Sequence, residues 1–352
     1  MPDSSPLSVR AVQSFSRSDS RYSHKVAAAK RQQFSSPKAF LRQPSLHAEP
    51  GTKTAVAIRK VTPYSSMVRR LIWLGLLCVC ESACRSPKQP ETVVQVFADD
   101  TVSVTDVHFR SSGIDGVFWY RIVVPKIGPN ERLPVLYLLH GANSGPVEIM
   151  ERSDVVRLSS ASHLITVIPD GEFSYFTNAK HKRNARWEDA VTQELTSDVE
   201  TRFPVLRGRE HRGVAGISMG GYGAVKLALK HPELYAFAGS MSGALDITRR
   251  YASFRRWAQT WRIWRIFGVR LSARRDEDVF DLLEGAKEVK NATWFESCGK
   301  DDPLLGVNER FAHQLRVRGA KPQSVTTSGG HDWRSWNTAM PDLFASAEKT
   351  LR

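Results

Sequence analysis

The chain is poor in cysteine, with four in 352 residues, and three of them, Cys78, Cys80 and Cys84, fall within one short stretch. Cys298 stands alone in the remainder, so no disulfide can form inside the C-terminal part, and no disulfide framework holds it together. No CxxC pair, HExxH or other spaced ligand set occurs, so neither a metal site nor a metal cofactor is expected. Phosphate-cradling loops of the GxxxxGK[ST] or GxGxxG type are missing, and no internal repeat is present. The one long apolar run, Leu71–Cys80, is ten residues. A membrane-spanning helix needs about 20.

Acidic residues are also few relative to basic ones, 36 against 50, for a net charge of +14. Such an excess points toward nucleic acid or anionic membrane, but its distribution removes most of that argument. Residues 1–66 hold 11 Lys and Arg against 3 Asp and Glu, and residues 67–85 hold 3 against 1, leaving 36 against 32 for residues 86–352. With no nucleic-acid-binding module beside the charge, nucleic acid is not an expected partner.

Residues 1–66 are rich in Ser, Arg, Lys and Gln, with apolar residues at no helical or strand period. Such a stretch cannot bury enough surface to offset its ordering entropy, and it is read as a disordered basic leader. Residues 67–84 then show the parts of a secretory signal peptide: Arg69 and Arg70, the apolar run, and the small residues Ser82 and Ala83 before Cys84. The end resembles a bacterial lipobox, which implies lipidation and membrane attachment at Cys84. Glu81 stands where that pattern prefers an apolar residue. An internal signal leads to the expectation that translation starts at Met67, and that the mature protein is exported as a periplasmic or outer-membrane lipoprotein or is secreted.

The remainder, residues 92–352, reads as one α/β domain. SVTDVHF and VFWYRIVVP alternate apolar and polar residues about the turn SSGIDG, which predicts an antiparallel pair. PVLYLLH and LITVIPD are continuous apolar runs, as in parallel strands buried on both faces. Helices are expected over Val147–Ser160, Trp187–Phe203, Gly221–Lys230, Leu305–Val317 and from about Asn337, with strands at GVAGI, Tyr235–Met241, ATWFESCG and QSVTTS. Trp187, Val191, Leu195 and Val199 form an i, i+4 stripe that Pro204 ends. Strands alternating with helices predict a mostly parallel, doubly wound sheet with antiparallel N-terminal strands. Residues 247–268 form a helical insertion in which Tyr251, Phe254, Trp257, Trp261 and Trp264 share one face beside several arginines. This face reads either as a lid or acyl-binding wall, or as an amphipathic helix on the core with a solvated arginine face.

The motif that carries chemistry is Gly216-Ile217-Ser218-Met219-Gly220, placed between a strand and a helix. That is the setting of a nucleophile elbow, where a strained turn exposes the serine hydroxyl and a Cβ at either glycine would clash. A serine nucleophile needs a histidine base and an orienting carboxylate, in the chain order Ser, acid, His. Of the downstream histidines, His231 ends the helix that Ser218 opens and His313 lies mid-helix, whereas His331 sits in the Gly-rich loop SGGHDW after a strand. His331 is therefore the expected base. The loop CGKDDPLLG offers Asp301 and Asp302 as the acid, and strand order sets both ahead of Asp246 and of Asp332, which adjoins His331. Met219 N–H, the first after the nucleophile, is one expected oxyanion donor.

The stretches LLHGANSG, PDGEFSYFTN, WEDAVTQEL, GISMGGYGAVKLAL, MSGALD, CGKDDPLL and GGHDWRSW resemble the esterase D group of α/β-hydrolases. That group includes tributyrin and feruloyl esterases, S-formylglutathione hydrolases and mycolyltransferases. The resemblance covers about Val104 to the C-terminus. It implies an α/β-hydrolase fold, Asp302 as the acid in the CGxxD pattern, Ala142 N–H as the second oxyanion donor, and hydrolysis of a small-molecule or cell-surface ester without a cofactor. Acyl transfer of the mycolyltransferase type and a non-catalytic binding protein on the same fold are the alternatives.

Overall fold

The computed structural model describes residues 91–249 and 257–352. The leader at 1–66, the signal segment at 67–84 with Cys84, and Tyr251 and Phe254 lie outside the described residues. Among the described residues nine strands form one sheet: β1 (Thr92–Ala98), β2 (Val102–Ser111), β3 (Gly116–Pro125), β4 (Val135–Leu139), β5 (Ile165–Pro169), β6 (Arg212–Ile217), β7 (Phe237–Met241), β8 (Thr293–Gly299) and β9 (Gln323–Thr327). Their order is β1-β2-β3-β5-β4-β6-β7-β8-β9. β1, β2 and β3 pair antiparallel and β3 pairs antiparallel with β5, while every pairing from β5 onward is parallel. The continuous apolar runs behave as their composition requires: β4, β5, β6 and β7 are buried along their whole lengths.

Helices cover both faces. One face carries residues 187–202 (α3), Met219–Lys230 (α4), Trp257–Phe267 (α5), Val279–Gly285 (α6) and Leu305–Val317 (α7). Pro146–Arg152 (α1), Val155–Ala161 (α2) and Trp333–Leu351 (α8) pack on the other. The stripe Trp187, Val191, Leu195 and Val199 is buried, and α3 contains a π-helical turn over Ala190–Leu195.

Several boundaries depart from expectation. The region 147–160 is two helices, because Ser153 turns extended and its hydroxyl and amide both bond Ile149 O, at 2.7 and 3.1 Å. The C-terminal helix begins at Trp333 and not Asn337, because the carboxylate of Asp332 accepts the Ser335 N–H at 3.1 Å and caps it. α4 starts at Met219, immediately after the serine. β1 and α6 have no counterpart in the sequence reading. In α5 the buried side is Ile263, Ile266 and Phe267, while Trp261 is 48% exposed. Phe267 supplies the anchor, lying edge-on to both Tyr175 and Tyr222, while Trp264 is half-buried.

Candidate active site

The parallel strands all end on one side of the sheet, and the loops that leave those ends converge there, the usual place for a site in this architecture. β6 delivers Ser218, β4 the loop with Gly141 and Ala142, β8 Asp302, and β9 His331.

Ser218 has φ +56 and ψ −108, a conformation L-residues rarely adopt. Its strain is held on both sides: Ser218 N–H donates to Met241 O at 2.9 Å, and Ser218 O accepts from Tyr222 and Ala244 N–H. The flanking glycines are sterically required, since a Cβ on Gly216 would overlap the Gly220 carbonyl and one on Gly220 would overlap Leu139 O. At Gly221 the added atom would lie 2.9 Å from Gly243 Cα. The turn is thus as tight as the GxSxGG spacing suggested.

His331 Nε2 lies 2.9 Å from Ser218 Oγ, and His331 Nδ1 lies 2.8 Å from Asp302 Oδ2. Asp302 Oδ1 accepts the Leu304 N–H at 2.8 Å, which fixes the carboxylate. Burial pushes the Asp302 carboxyl up, but the bonds from His331, Leu304 N–H and Ser242 outweigh it and hold the group below its ordinary range. Asp302 therefore stays ionised beside the imidazole. Asp301 is exposed, and its amide bonds Gly329 O at 3.0 Å, so it neither reaches His331 nor caps α7. Asp332 is committed to capping α8. His231 pairs with Glu188 at 3.0 Å, and His313 is exposed on α7. Of the acids and histidines weighed, Asp302 and His331 form one hydrogen-bonded chain with Ser218.

Met219 is the first residue of α4, where an N–H has no intrahelical acceptor. Opposite it, Gly141 passes so near the elbow that an added Cβ would lie 3.7 Å from Ser218 Cβ. Ala142 follows in a half-buried turn. His140 holds that turn: its Nδ1 is 2.7 Å from Gly141 O, and its Nε2 accepts the Gly171 N–H at 2.8 Å. The Gly141 carbonyl requires the proton on Nδ1, and Asp170 Oδ1 lies 3.5 Å from Nε2.

Two groups behind Asp302 escaped the sequence reading. Ser242, at φ +51, accepts the Trp336 indole N–H at 3.1 Å and bonds Asp302. Trp336 also stands edge-on to His331, with ring centroids 5.2 Å apart. Both lie in the stretches MSGALD and GGHDWRSW, so a signal for them was present. Gly299 is a third, because any Cβ there would overlap the Gly329 carbonyl and force the Asp302 and His331 loops apart. Among the described residues no group of His, Cys, Asp and Glu is arranged to hold a metal ion.

A mostly parallel sheet flanked by helices, with a strained serine after its central strands, defines an α/β-hydrolase. Residues 119–347 match the family described as "Putative esterase", and the chain belongs to that family. An acetyl esterase of Caldicellulosiruptor saccharolyticus is 28% identical over 228 residues, covering 61% of this chain and 83% of the relative. An esterase of Mycobacterium tuberculosis is 28% identical over 236 residues, 60% of this chain and half the length of that protein. Among solved structures, the fluorophosphonate-binding serine hydrolase F of Staphylococcus aureus superposes with a TM-score of 0.62 at 22% identity, covering 70% of this chain and 99% of that one.

Proposed function

We propose that this chain is a serine carboxylesterase in which Ser218, His331 and Asp302 act as a catalytic triad. The observation that carries this reading is the unbroken hydrogen-bond chain Ser218 Oγ, His331, Asp302, with both contacts below 3 Å. Ser218 Oγ bonds to the acyl carbon while His331 Nε2 takes its proton, and the oxyanion sits between Met219 and Ala142 N–H. The proton passes to the departing alcohol as the ester C–O bond breaks. A water deprotonated by His331 then cleaves the acyl-enzyme, releasing the acid and restoring Ser218. Asp302 holds the imidazole orientation and stabilises its positive form.

The test is turnover of p-nitrophenyl acyl esters of rising chain length, with and without an added alcohol, together with labelling by a fluorophosphonate. Wild-type chain should hydrolyse short acyl esters and label, and Ser218→Ala should do neither. Retained turnover in that variant ends the reading. Faster p-nitrophenol release on adding alcohol, with a new ester formed, marks an acyltransferase, and silence in both assays marks a binding protein. The signal segment supports export, through lipidation of Cys84 or plain cleavage, and N-terminal sequencing of the natural product tests it.

A further inference from the structure

Beside the site lies a pocket of about 550 Å³ that Ser218, His331 and Asp302 do not line. Its wall begins at Asn143, two residues beyond Gly141. Two Cα steps span at most about 7.6 Å, so a substituent of an ester bound at Ser218 can reach this wall. A cavity of this size suits a small-molecule fragment.

The pocket's charge is lopsided. Lys182, Arg262 and Arg265 line it, with Glu172 as the single carboxylate among the lining residues. Two cations just outside the pocket are paired, Lys180 with Asp276 and Arg186 with Asp189. The three inside have no carboxylate partner among the described residues. The two arginines are positioned by neutral groups instead. The Arg262 guanidinium lies 3.6 Å from the Phe173 ring centroid and 3.4 Å from Asn143 Oδ1, and Arg265 lies 4.6 Å from the Trp261 ring centroid. Stacking of this kind orders a guanidinium without cancelling its charge. Cations gathered in a concave site focus their field on an incoming anion.

We infer that this pocket is the subsite for an anionic substituent of the substrate, a carboxylate or phosphate held by Arg262, Arg265 and Lys182. The inference rests on the proposed esterase reading and narrows it to acidic esters. Anionic lipid is the competing source of negative charge, but these exposed cations converge on the mouth of a pocket beside Ser218, which favours a small anion over a membrane surface.

The experiment compares mono-p-nitrophenyl adipate with its uncharged counterpart p-nitrophenyl hexanoate, using the full chain. Wild type should prefer the adipate in kcat/KM, and the preference should shrink as NaCl is raised. In Arg262→Gln/Arg265→Gln the adipate-to-hexanoate ratio should fall at least tenfold, mainly through KM. Lys182→Gln, on a separate loop, should lower the same ratio. Competition by glutarate marks a carboxylate subsite and competition by inorganic phosphate marks a phosphate subsite, and either supports the inference. No wild-type preference, or a ratio untouched by both variants, overturns it. Binding to phosphatidylglycerol vesicles that the double variant loses with its ratio unchanged also overturns it, by assigning the cations to membrane. Failure of the esterase reading looks different, because neither ester is then turned over.

Discussion

The indole N–H of Trp336 donates to Ser242 Oγ at 3.1 Å, and Ser242 passes the contact on to Asp302. Ser242 is a positioning residue, so Ser242→Ala should lower kcat about 10- to 100-fold with KM little changed, as for loss of one hydrogen bond to a charged group. An Asp302 carboxyl held below its ordinary range adds stability above its unfolded titration point near 3.8, and that stability is lost as pH falls through the folded value. With Ser242 removed the depression shrinks, and the acid-unfolding midpoint should move to higher pH. An unchanged kcat in a folded variant would sink this role.

Asp302→Asn keeps the shape of the side chain but offers His331 Nδ1 an amide in place of a carboxylate. Loss of the imidazole's charge partner should reduce kcat about 10³- to 10⁴-fold. Fluorophosphonate labelling of Ser218 should slow in parallel. Wild-type labelling rates would show that another acid serves His331.

Gly220→Ala places a methyl on the Leu139 carbonyl. The backbone must move where the elbow crosses β4, and overpacking of this kind destabilises by about 1–3 kcal/mol or more. Thermal unfolding should fall by several degrees and activity should be lost with it. Gly306→Ala, where an added Cβ meets nothing within 4 Å, should be tolerated.

Lys226 is fully buried on α4 and donates to Glu188 at 2.7 Å and to the Phe176 carbonyl at 2.6 Å. Lys226→Met would leave the buried Glu188 without this bond and free the loop that carries Phe173 into the proposed anion subsite. Breaking a buried pair in this way costs about 3–5 kcal/mol. Chemical denaturation should register that loss, and a drop below about 1 kcal/mol would mean the remaining partners of Glu188 suffice.

Glu296 lies in β8 with its carboxyl buried, and burial pushes it well above its ordinary titration point of 4.5. A carboxyl raised in the folded state weakens folding as pH climbs from its unfolded toward its folded titration point, by about 1.4 kcal/mol per pH unit. Glu296→Gln has no proton to lose. It should raise the unfolding temperature near pH 8 and have little effect near pH 4. A pH-independent difference would refute the assignment.

Chemistry was more legible in the sequence than support. Ser218 and His331 stand out from the residues themselves because each sits in a short glycine-rich motif after a recognisable strand, whereas Asp302 is separated from Asp301 only by the family resemblance. Ser242 and Trp336 were not singled out, because their contacts join chain segments 94 residues apart and no local spacing encodes them. The buried strands were visible as apolar runs, whereas β1 was missed because an edge strand is largely exposed and lacks such a run. The packed face of α5 was left open for a related reason. Tryptophan spacing marks an amphipathic helix but does not say which side meets the protein, and Phe267 settles that through Tyr175 and Tyr222.

The strand order has a consequence in time. Ser218 follows β6, in the middle of the sheet, but His331 arrives only after β9, the last of the described strands and the outer edge. On a ribosome, the elbow can close around Ser218 while the histidine is still unmade or unfolded. Ser218 thus remains without its proposed base until β9 docks at the sheet edge.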